Sequence, residues 1–278
     1  MNIWRNLYYS CIKEIVNRRF LHQSPVENIF SNTKIVDLLL VTVAFNNAQV
    51  LDWQLALCKR FIEDEYLHVI LDNSSSLGVR RKNKSICVHH GAAYISLPLN
   101  PWTGIHNSRS HGIALDWAFR HVVPQYSFQV LGLLDHDVFP VKRHSLLTSM
   151  NDKLYMGVLQ ERPKLWYLWP GLFFVRSSAL DLDNFSMLPT GKADTGGALW
   201  EKVFRHMDRK EVFFWEEREC RLREGVSRQS AFYYQIGPWI HTVNASYWDA
   251  CAPKEKGILH FLRKETGITD LFAVSGEG

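Results

Sequence analysis

FQVLGLLDHDVFP, residues 128–140, opens with seven residues that carry one polar side chain and closes on two carboxylates one position apart. An apolar run of this length, bounded by polar residues, reads as a strand buried on both faces. It delivers Asp135, His136 and Asp137 at its carboxyl end. Where the chain leaves the regular pleat, both carboxylates can turn to one side. Two hard oxygen ligands then suit Mg2+ or Mn2+, with positions left for water and a diphosphate. Two Asp residues at this spacing also occur in solvated turns, so the setting of the triplet decides its meaning.

Upstream, IVDLLLVTVAF (35–45) is a second, β-branched apolar run, followed by Asn46-Asn47 as a turn. Residues 48–62 then place Val50, Trp53, Leu57 and Phe61 at helical spacing. LHVILD (67–72) is a further strand ending in the polar loop 72–76. Strand, helix and strand in this order signal an α/β fold. ISLPL (95–99) reads as a short strand, and 108–122 as a helix with Ile113 and Trp117 turned inward. Open parallel sheets bind ligands beyond the carboxyl ends of their strands. That rule groups Asp72, Asp135 and Asp137 in one crevice.

Beyond residue 150, LYMGVLQ (154–160) and GLFFVR (171–176) read as strands with an aromatic loop, 166–170, between them. Trp166, Tyr167 and Trp169 there are either stacking surfaces for an acceptor or a packing cluster. Residues 193–207 read as a helix opened by Asp194 or Thr195, and 209–228 as a solvated helix of mixed charge. No internal repeat or low-complexity linker interrupts the chain. The expected organisation is an N-terminal helical extension (1–33) and one domain (34–278).

The net charge of +4 is too diffuse to argue for nucleic acid and would tolerate an anionic substrate. Five cysteines with no metal-binding spacing point to free thiols in a reducing compartment. Charges interrupt the first twenty residues, unlike a secretory signal. The expected location is therefore cytoplasmic. The basic, aromatic N-terminal segment either packs on the domain or lies peripherally at the inner face of the membrane.

VTVAFNN, VILDNSS, NSRSHGIAL and LLDHDVFP occur in that order, with GLFFVRSSAL and ADTGGAL downstream. As an ordered set over about residues 35–250 they resemble the nucleotide-sugar-dependent glycosyltransferases of the A-type fold, in the broad family 2 group and of bacterial type. The resemblance implies a single Rossmann-like GT-A domain with a mixed, mostly parallel central sheet flanked by helices. It implies a nucleotide-binding half over about 34–140 and an acceptor-binding half over about 141–278. The donor would be a nucleotide diphospho-sugar, and the acceptor a glycan, a lipid-linked compound or a small molecule. Phe45 and Asn46 would border the base, and Asp72 would accept hydrogen bonds from base or ribose unless it closes an Asx turn. Asn107, Ser110 and His111 would face the nucleotide from a helix start, where free N–H groups favour phosphate, unless Asn107 or Ser108 merely caps the helix.

Asp135 would orient the metal or touch the ribose, and Asp137 would ligate Mn2+ or Mg2+. A histidine would complete that site, His241 (in WIHTVNASYW) before His260 (in ILHFLRK). Asp194 is the candidate base of an inverting transfer, ahead of Glu161 and Asp183. The family base commonly belongs to an acidic pair, whereas Asp194 has no acidic neighbour, so the stereochemical outcome stays open. Two rivals remain. A sugar nucleotidyltransferase should carry a Gly-rich basic loop after its first strand, and Phe45-Asn46-Asn47-Ala48 has neither Gly nor Lys. A non-catalytic carbohydrate- or nucleotide-binding protein would keep the fold and lose the Asp pair or a plausible base, and here the pair is present.

Overall fold

In the computed structural model, which describes residues 3–25, 35–221, 232–245 and 252–268, the apolar runs are the central strands. β1 (Ile35–Ala44) pairs in parallel with β2 (Tyr66–Asp72) on one side and with β4 (Ser127–Asp135) on the other. β2 pairs in parallel with the edge strand β3 (Ala93–Ser96). Beyond β4 come β7 (Leu165–Arg176) and β6 (Tyr155–Arg162), both antiparallel joins, and then β8 (Val212–Trp215), parallel to β6. The seven-stranded order is β3-β2-β1-β4-β7-β6-β8. This is the expected mixed, mostly parallel sheet. Leu38, Leu39, Leu40 and Val41 of β1 are fully buried, which is why the run shows no alternation.

Helices α2 (Ala48–Phe61), α3 (Leu77–His90) and α4 (Asn107–His121) make the connections, and the short α5 (Leu146–Met150) precedes β6. Asn47 caps α2 by accepting from Val50 N, and Ser76 caps α3 from Val79 N. Gly91, at φ 74°, ends α3 in the left-handed conformation that favours glycine. The cap of α4 is His106, whose Nδ1 accepts from Arg109 N, and neither Asn107 nor Ser108. The N-terminal helix α1 (Ile3–Leu21) packs its last turn on α4: Phe20 is buried, and His121 Nε2 lies 2.8 Å from Leu21 O. No helix among the described residues is long and apolar enough to cross a membrane.

A second sheet has the order β5-β11-β10-β9, all antiparallel. Its strands are β5 (Val138–Pro140), β9 (Glu217–Arg221), β10 (Phe232–Ile236) and β11 (Trp239–His241). Residues 209–221, expected in a solvated helix, instead form a single 3-10 turn followed by β8 and β9, and 222–228 lie outside the described residues. The expected helix over 193–207 is broken as well. Turns at 195–198 lead to the short α6 (Leu199–Lys202) and a 3-10 turn, because Gly196 sits at φ 87°. The aromatic stretch 166–170 is not a loop but part of β7. The C-terminal helix is α7 (Ala252–Thr266), which packs Ile258 and Leu262 against α2 residues Trp53 and Leu57.

Candidate active site

Strand order places the site. The chain crosses from β1 to β2 and β3 and then returns to β4 on the opposite side of β1, so connections leave β1 and β4 in opposite directions. A crevice opens at such a switch point, beyond the strand ends. A cavity of about 300 Å³ lies there, lined by Phe45 after β1, Asn73 after β2, Asp135 at the end of β4, and His136 and Asp137 just beyond it. An adjoining cavity of about 470 Å³ carries Asp194, Gln160, Arg162, Glu217 and Tyr234. Asn107, His111, Asp135, Trp169 and His241 line both, so they form the wall the two cavities share.

The Asp-His-Asp turn joins the two sheets. The chain leaves the large sheet at Asp135, turns through His136 and Asp137, and enters β5 of the small one. Pairing of β11 with β5 sets His241 opposite Val138, which brings His241 Nε2 to 3.6 Å from Asp137 Oδ1. The segment after β11 then wraps the carboxylate. Thr242 N donates to Asp137 O at 3.0 Å, and Ala245 N donates to Asp137 Oδ2 at 3.2 Å. Between them Val243 (φ 56°) and Asn244 (φ 63°) both take the left-handed conformation. That costs about 1–3 kcal/mol for a β-branched residue and is retained where surrounding contacts over-determine it.

Beneath the turn runs a chain of buried polar groups. Thr42 Oγ1 donates to Gln54 Oε1 at 3.0 Å, and the Gln54 amide donates to Asp135 O at 2.7 Å and Val138 O at 3.0 Å. His68 Nε2 lies 2.9 Å from Thr42 Oγ1. The Thr42 proton is already committed to Gln54, so His68 must donate, which fixes its Nε2–H tautomer. Its Nδ1 has no partner among the described residues, and burial pushes the ring down to about 3, so it stays neutral. Every donor in this relay therefore points towards the two carbonyls that flank the Asp-His-Asp turn. Thr42, Gln54 and His68 were not among the expected site residues.

Trp169 owes its place in the cleft to an irregularity. Pairing of β6 with β7 shifts register between Gly157 and Leu159, so residues 169–172 of β7 lack regular partners on that strand. Pro170 fits there, where no ladder N–H is required, and Trp169 turns towards the cavities. Gly171 lies directly below. A Cβ at that position would collide with the Trp169 ring and come within 2.6 Å of Asp135 Oδ2. The Trp169 ring in turn packs at a tilt on His241 (centroids 4.5 Å apart), and Tyr234 stacks on the same histidine at 6.1 Å.

The electrostatics follow from this crowding. Burial first, and the charge on Asp137 second, push the Asp135 carboxyl up to about 7 against the pull of His241 and His136. Burial would raise Asp137 too, but His241, His136 and the Ala245 N–H outweigh it and hold that carboxyl below the usual carboxylate range. Burial lowers His111 to about 4, so its 3.3 Å contact with Asp135 Oδ1 involves a neutral ring at neutral pH. Two carboxylates repelling each other in one cleft leave it short of positive charge. Among the described residues no group of three or more His, Cys, Asp or Glu side chains is arranged as a metal cluster. A cation here would take few protein ligands and fill its shell from water and ligand oxygens, as Mg2+ and Mn2+ do.

Of the residues expected in the site, Phe45, Asn107, Ser110, His111, Asp135, Asp137 and His241 reach the first cavity, and Asp194 reaches the second. Asp72 does not. It is fully buried, and its carboxylate accepts from Ser74 N, Asn83 Nδ2 and Tyr94 Oη, so it braces the loop while its neighbour Asn73 faces the cavity. Asn46, at φ 53°, is also spent on that loop: its N donates to Ser74 Oγ and its Oδ1 accepts from Ser75 N. Asp194 caps no helix, since Ala198 precedes α6. It accepts from Thr195 N at 2.9 Å and is exposed to the second cavity. Glu161 pairs with Arg209 at the surface, Asp183 lies in an exposed turn, and His260 is exposed on α7.

No family model matches the chain, and no curated protein sequence matches it. Among solved structures it is similar to a mannosyltransferase from Pyrobaculum calidifontis in complex with GDP-Man and Mn2+, at 13% identity over 63% of this chain and 52% of that one, with a TM-score of 0.38. It is similar to glucosyl-3-phosphoglycerate synthase from Mycobacterium tuberculosis, in complex with Mn2+, UDP and glucosyl-3-phosphoglycerate. There the identity is 13%, the coverage 84% of this chain and 81% of that one, and the TM-score 0.42. A galactosyltransferase in complex with donor and acceptor sugar analogues matches at 15% identity over 52% and 61%, with a TM-score of 0.35. The chain spans about half the length of the first of these proteins. Identity this low and superposition this loose leave the function to be argued from the chain's own geometry.

Proposed function

We propose that the chain is a glycosyltransferase that moves a sugar from a nucleotide diphospho-sugar to an acceptor hydroxyl, with Mn2+ or Mg2+ held by Asp135 and Asp137. The observation that carries this is the pair of adjoining cavities at the switch point, which share a wall containing Asp135, His111 and His241. One has a carboxylate pair short of positive charge. The other has a separate exposed carboxylate, Asp194, among polar and aromatic side chains. Donor on one side and acceptor on the other is the arrangement a group transfer requires. Residues 34–140 then supply most of the donor side and 141–278 most of the acceptor side.

Bound there, a divalent cation stabilises negative charge on a departing diphosphate. The chain's own groups do the rest. Asp135 and Asp137 hold the cation, with His241 beside Asp137. Neutral His111 and Asn107 offer hydrogen bonds to phosphate oxygens. Phe45 and Asn73 flank the nucleoside. Asp194 takes the proton of the acceptor hydroxyl, which makes the transfer inverting. Trp169 and Tyr234 present ring faces to sugars.

Isothermal titration of UDP, GDP and their hexose conjugates, with and without Mn2+, tests the reading. Cation-dependent binding that Asp137→Ala abolishes, together with donor turnover, is expected. Cation-dependent binding without turnover on any acceptor would make the chain a non-catalytic binding protein, and no nucleotide binding would remove the reading altogether.

A further inference from the structure

From Asn73 to Leu115 the chain contains no Asp or Glu, although it has 28 acidic residues in all. The same 43 residues hold Arg80, Arg81, Lys82, Lys84 and Arg109. They form α3, the edge strand β3, the segment after it and the first part of α4, which is one border of the large sheet. Arg80 and Arg109 turn inward. Arg80 donates to Ser74 O, Ser96 Oγ and Leu97 O, and Arg109 lies over the Trp102 ring at 5.2 Å. Arg81, Lys82 and Lys84 are exposed on α3.

The exposed large aliphatic side chains gather on the same border. Seven are found among the described residues, and Leu77, Val88, Leu99 and Ile105 belong to this segment, at 73%, 74%, 85% and 76% exposure. Ile12 and Ile15 sit on α1, which touches the segment where Asn17 accepts from Trp102 Nε1. Only Ile35 lies elsewhere. Leu77 opens α3, one turn before Arg80, whose guanidinium binds the chain at Ser96 and Leu97. Leu77, Leu99 and Ile105 thus stand at the cleft end of the sheet, and Gly104 and Asn107 of the same segment line the first cavity.

We propose that this border docks on an anionic lipid bilayer, with Arg81, Lys82 and Lys84 at the headgroups and Leu77, Leu99 and Ile105 inserted at the interface. A polyanion such as RNA would use the cations but has no use for three fully presented aliphatic side chains. A bilayer uses both. Docking sets the cavity mouth against the membrane, and, on the sugar-transfer reading, the acceptor is then one carried by a lipid.

The test is vesicle flotation of the full chain with phosphatidylcholine alone and with equal parts phosphatidylcholine and phosphatidylglycerol, alongside fluorescence polarisation with a single-stranded RNA oligonucleotide. The chain is expected to float with the anionic vesicles only, and less at high salt. Replacing Arg81, Lys82 and Lys84 together by Gln should lower partitioning about a hundredfold, since each cation near the surface contributes about 1 kcal/mol. The variant Leu77→Ser, Leu99→Ser, Ile105→Ser should also fail to float. All six positions are exposed, and circular dichroism confirms that both variants fold. Flotation that either variant leaves unchanged, equal flotation with neutral vesicles, or RNA binding without flotation would each overturn the proposal. Mn2+–UDP titration separates the two readings. A chain that floats but binds no nucleotide keeps the docking surface and loses the donor site, and one that binds nucleotide but never floats does the reverse.

Discussion

Thr42→Val tests the relay beneath the Asp-His-Asp turn. The substitution keeps the shape of a fully buried side chain in β1 and replaces its hydroxyl by a methyl. Two buried groups then lose their partners: Gln54 Oε1 loses its donor and His68 Nε2–H its acceptor. Each unsatisfied group costs about 1–3 kcal/mol, so the expected loss is about 2–6 kcal/mol, a large part of a typical domain's stability. Urea unfolding measures it. Thr42→Ser, which keeps the hydroxyl and loses a methyl, should cost only about 1 kcal/mol. Gln54→Leu frees the carbonyls of Asp135 and Val138, so the turn loses its floor and Mn2+-dependent nucleotide affinity should fall with stability. In the double variant the Thr42–Gln54 bond is absent from both sides, and its loss should fall short of the sum of the two single losses by about 1–3 kcal/mol. A cost below about 1 kcal/mol for Thr42→Val, or strict additivity in the double variant, would refute a directional relay.

Other consequences are as concrete. Gly171→Ala drives a methyl into Trp169 and the Asp135 carboxylate, and should cost about 1–3 kcal/mol while weakening Mn2+-dependent nucleotide binding; unchanged titration isotherms would show that Asp135 does not contribute there. His68, pushed down to about 3, is protonated more readily in the unfolded chain, so its share of stability is full above about pH 6.5 and is lost as pH falls. By pH 5 that loss is about 2 kcal/mol, and the acid sensitivity of His68→Gln should be smaller by that amount; a His68 ring titrating near its ordinary value by nitrogen NMR would contradict the burial argument. Asp137→Ala should abolish transfer in a folded protein, whereas Asp194→Asn should lower turnover by about 10²–10⁴ and leave nucleotide binding nearly intact, the range for a general base. Equal losses of turnover and binding in Asp194→Asn would reduce that residue to a structural role.

What could be read in the sequence depended on how each element is buried. β1, β2 and β4 are covered on both faces over most of their length and appear as nearly continuous apolar runs, and α2 shows its buried stripe at helical spacing. α3 shows no such stripe, because Asn83 and Cys87 are its only fully buried side chains; its only local signals are Ser76, which starts it, and Gly91, which ends it. Exposure also misled at 217–221, where a two-sided charged strand has the composition of a solvated helix. Pro170 made a loop the natural reading of 166–170, and only the register shift opposite it lets a strand continue.

The two strand-end aspartates show why position alone could not separate ligand from brace. Asp72 and Asp135 both end parallel strands that flank β1, and both carry the same expectation. Side chains alternate in direction along a strand, and at β2 the buried position falls to Asp72 and the cavity position to Asn73. At β4 the chain does not continue into a helix but crosses to the second sheet, and the turn this forces exposes Asp135 and Asp137 to the same cavity. The partners that hold Asp137, the wrap at 242–245 and His241, lie more than a hundred residues downstream and arrive only through the β5–β11 pairing. The second sheet is therefore what turns a common Asp-x-Asp spacing into a built pocket. Breaking β11 from β5 should release Asp137 while leaving the seven-stranded sheet in place.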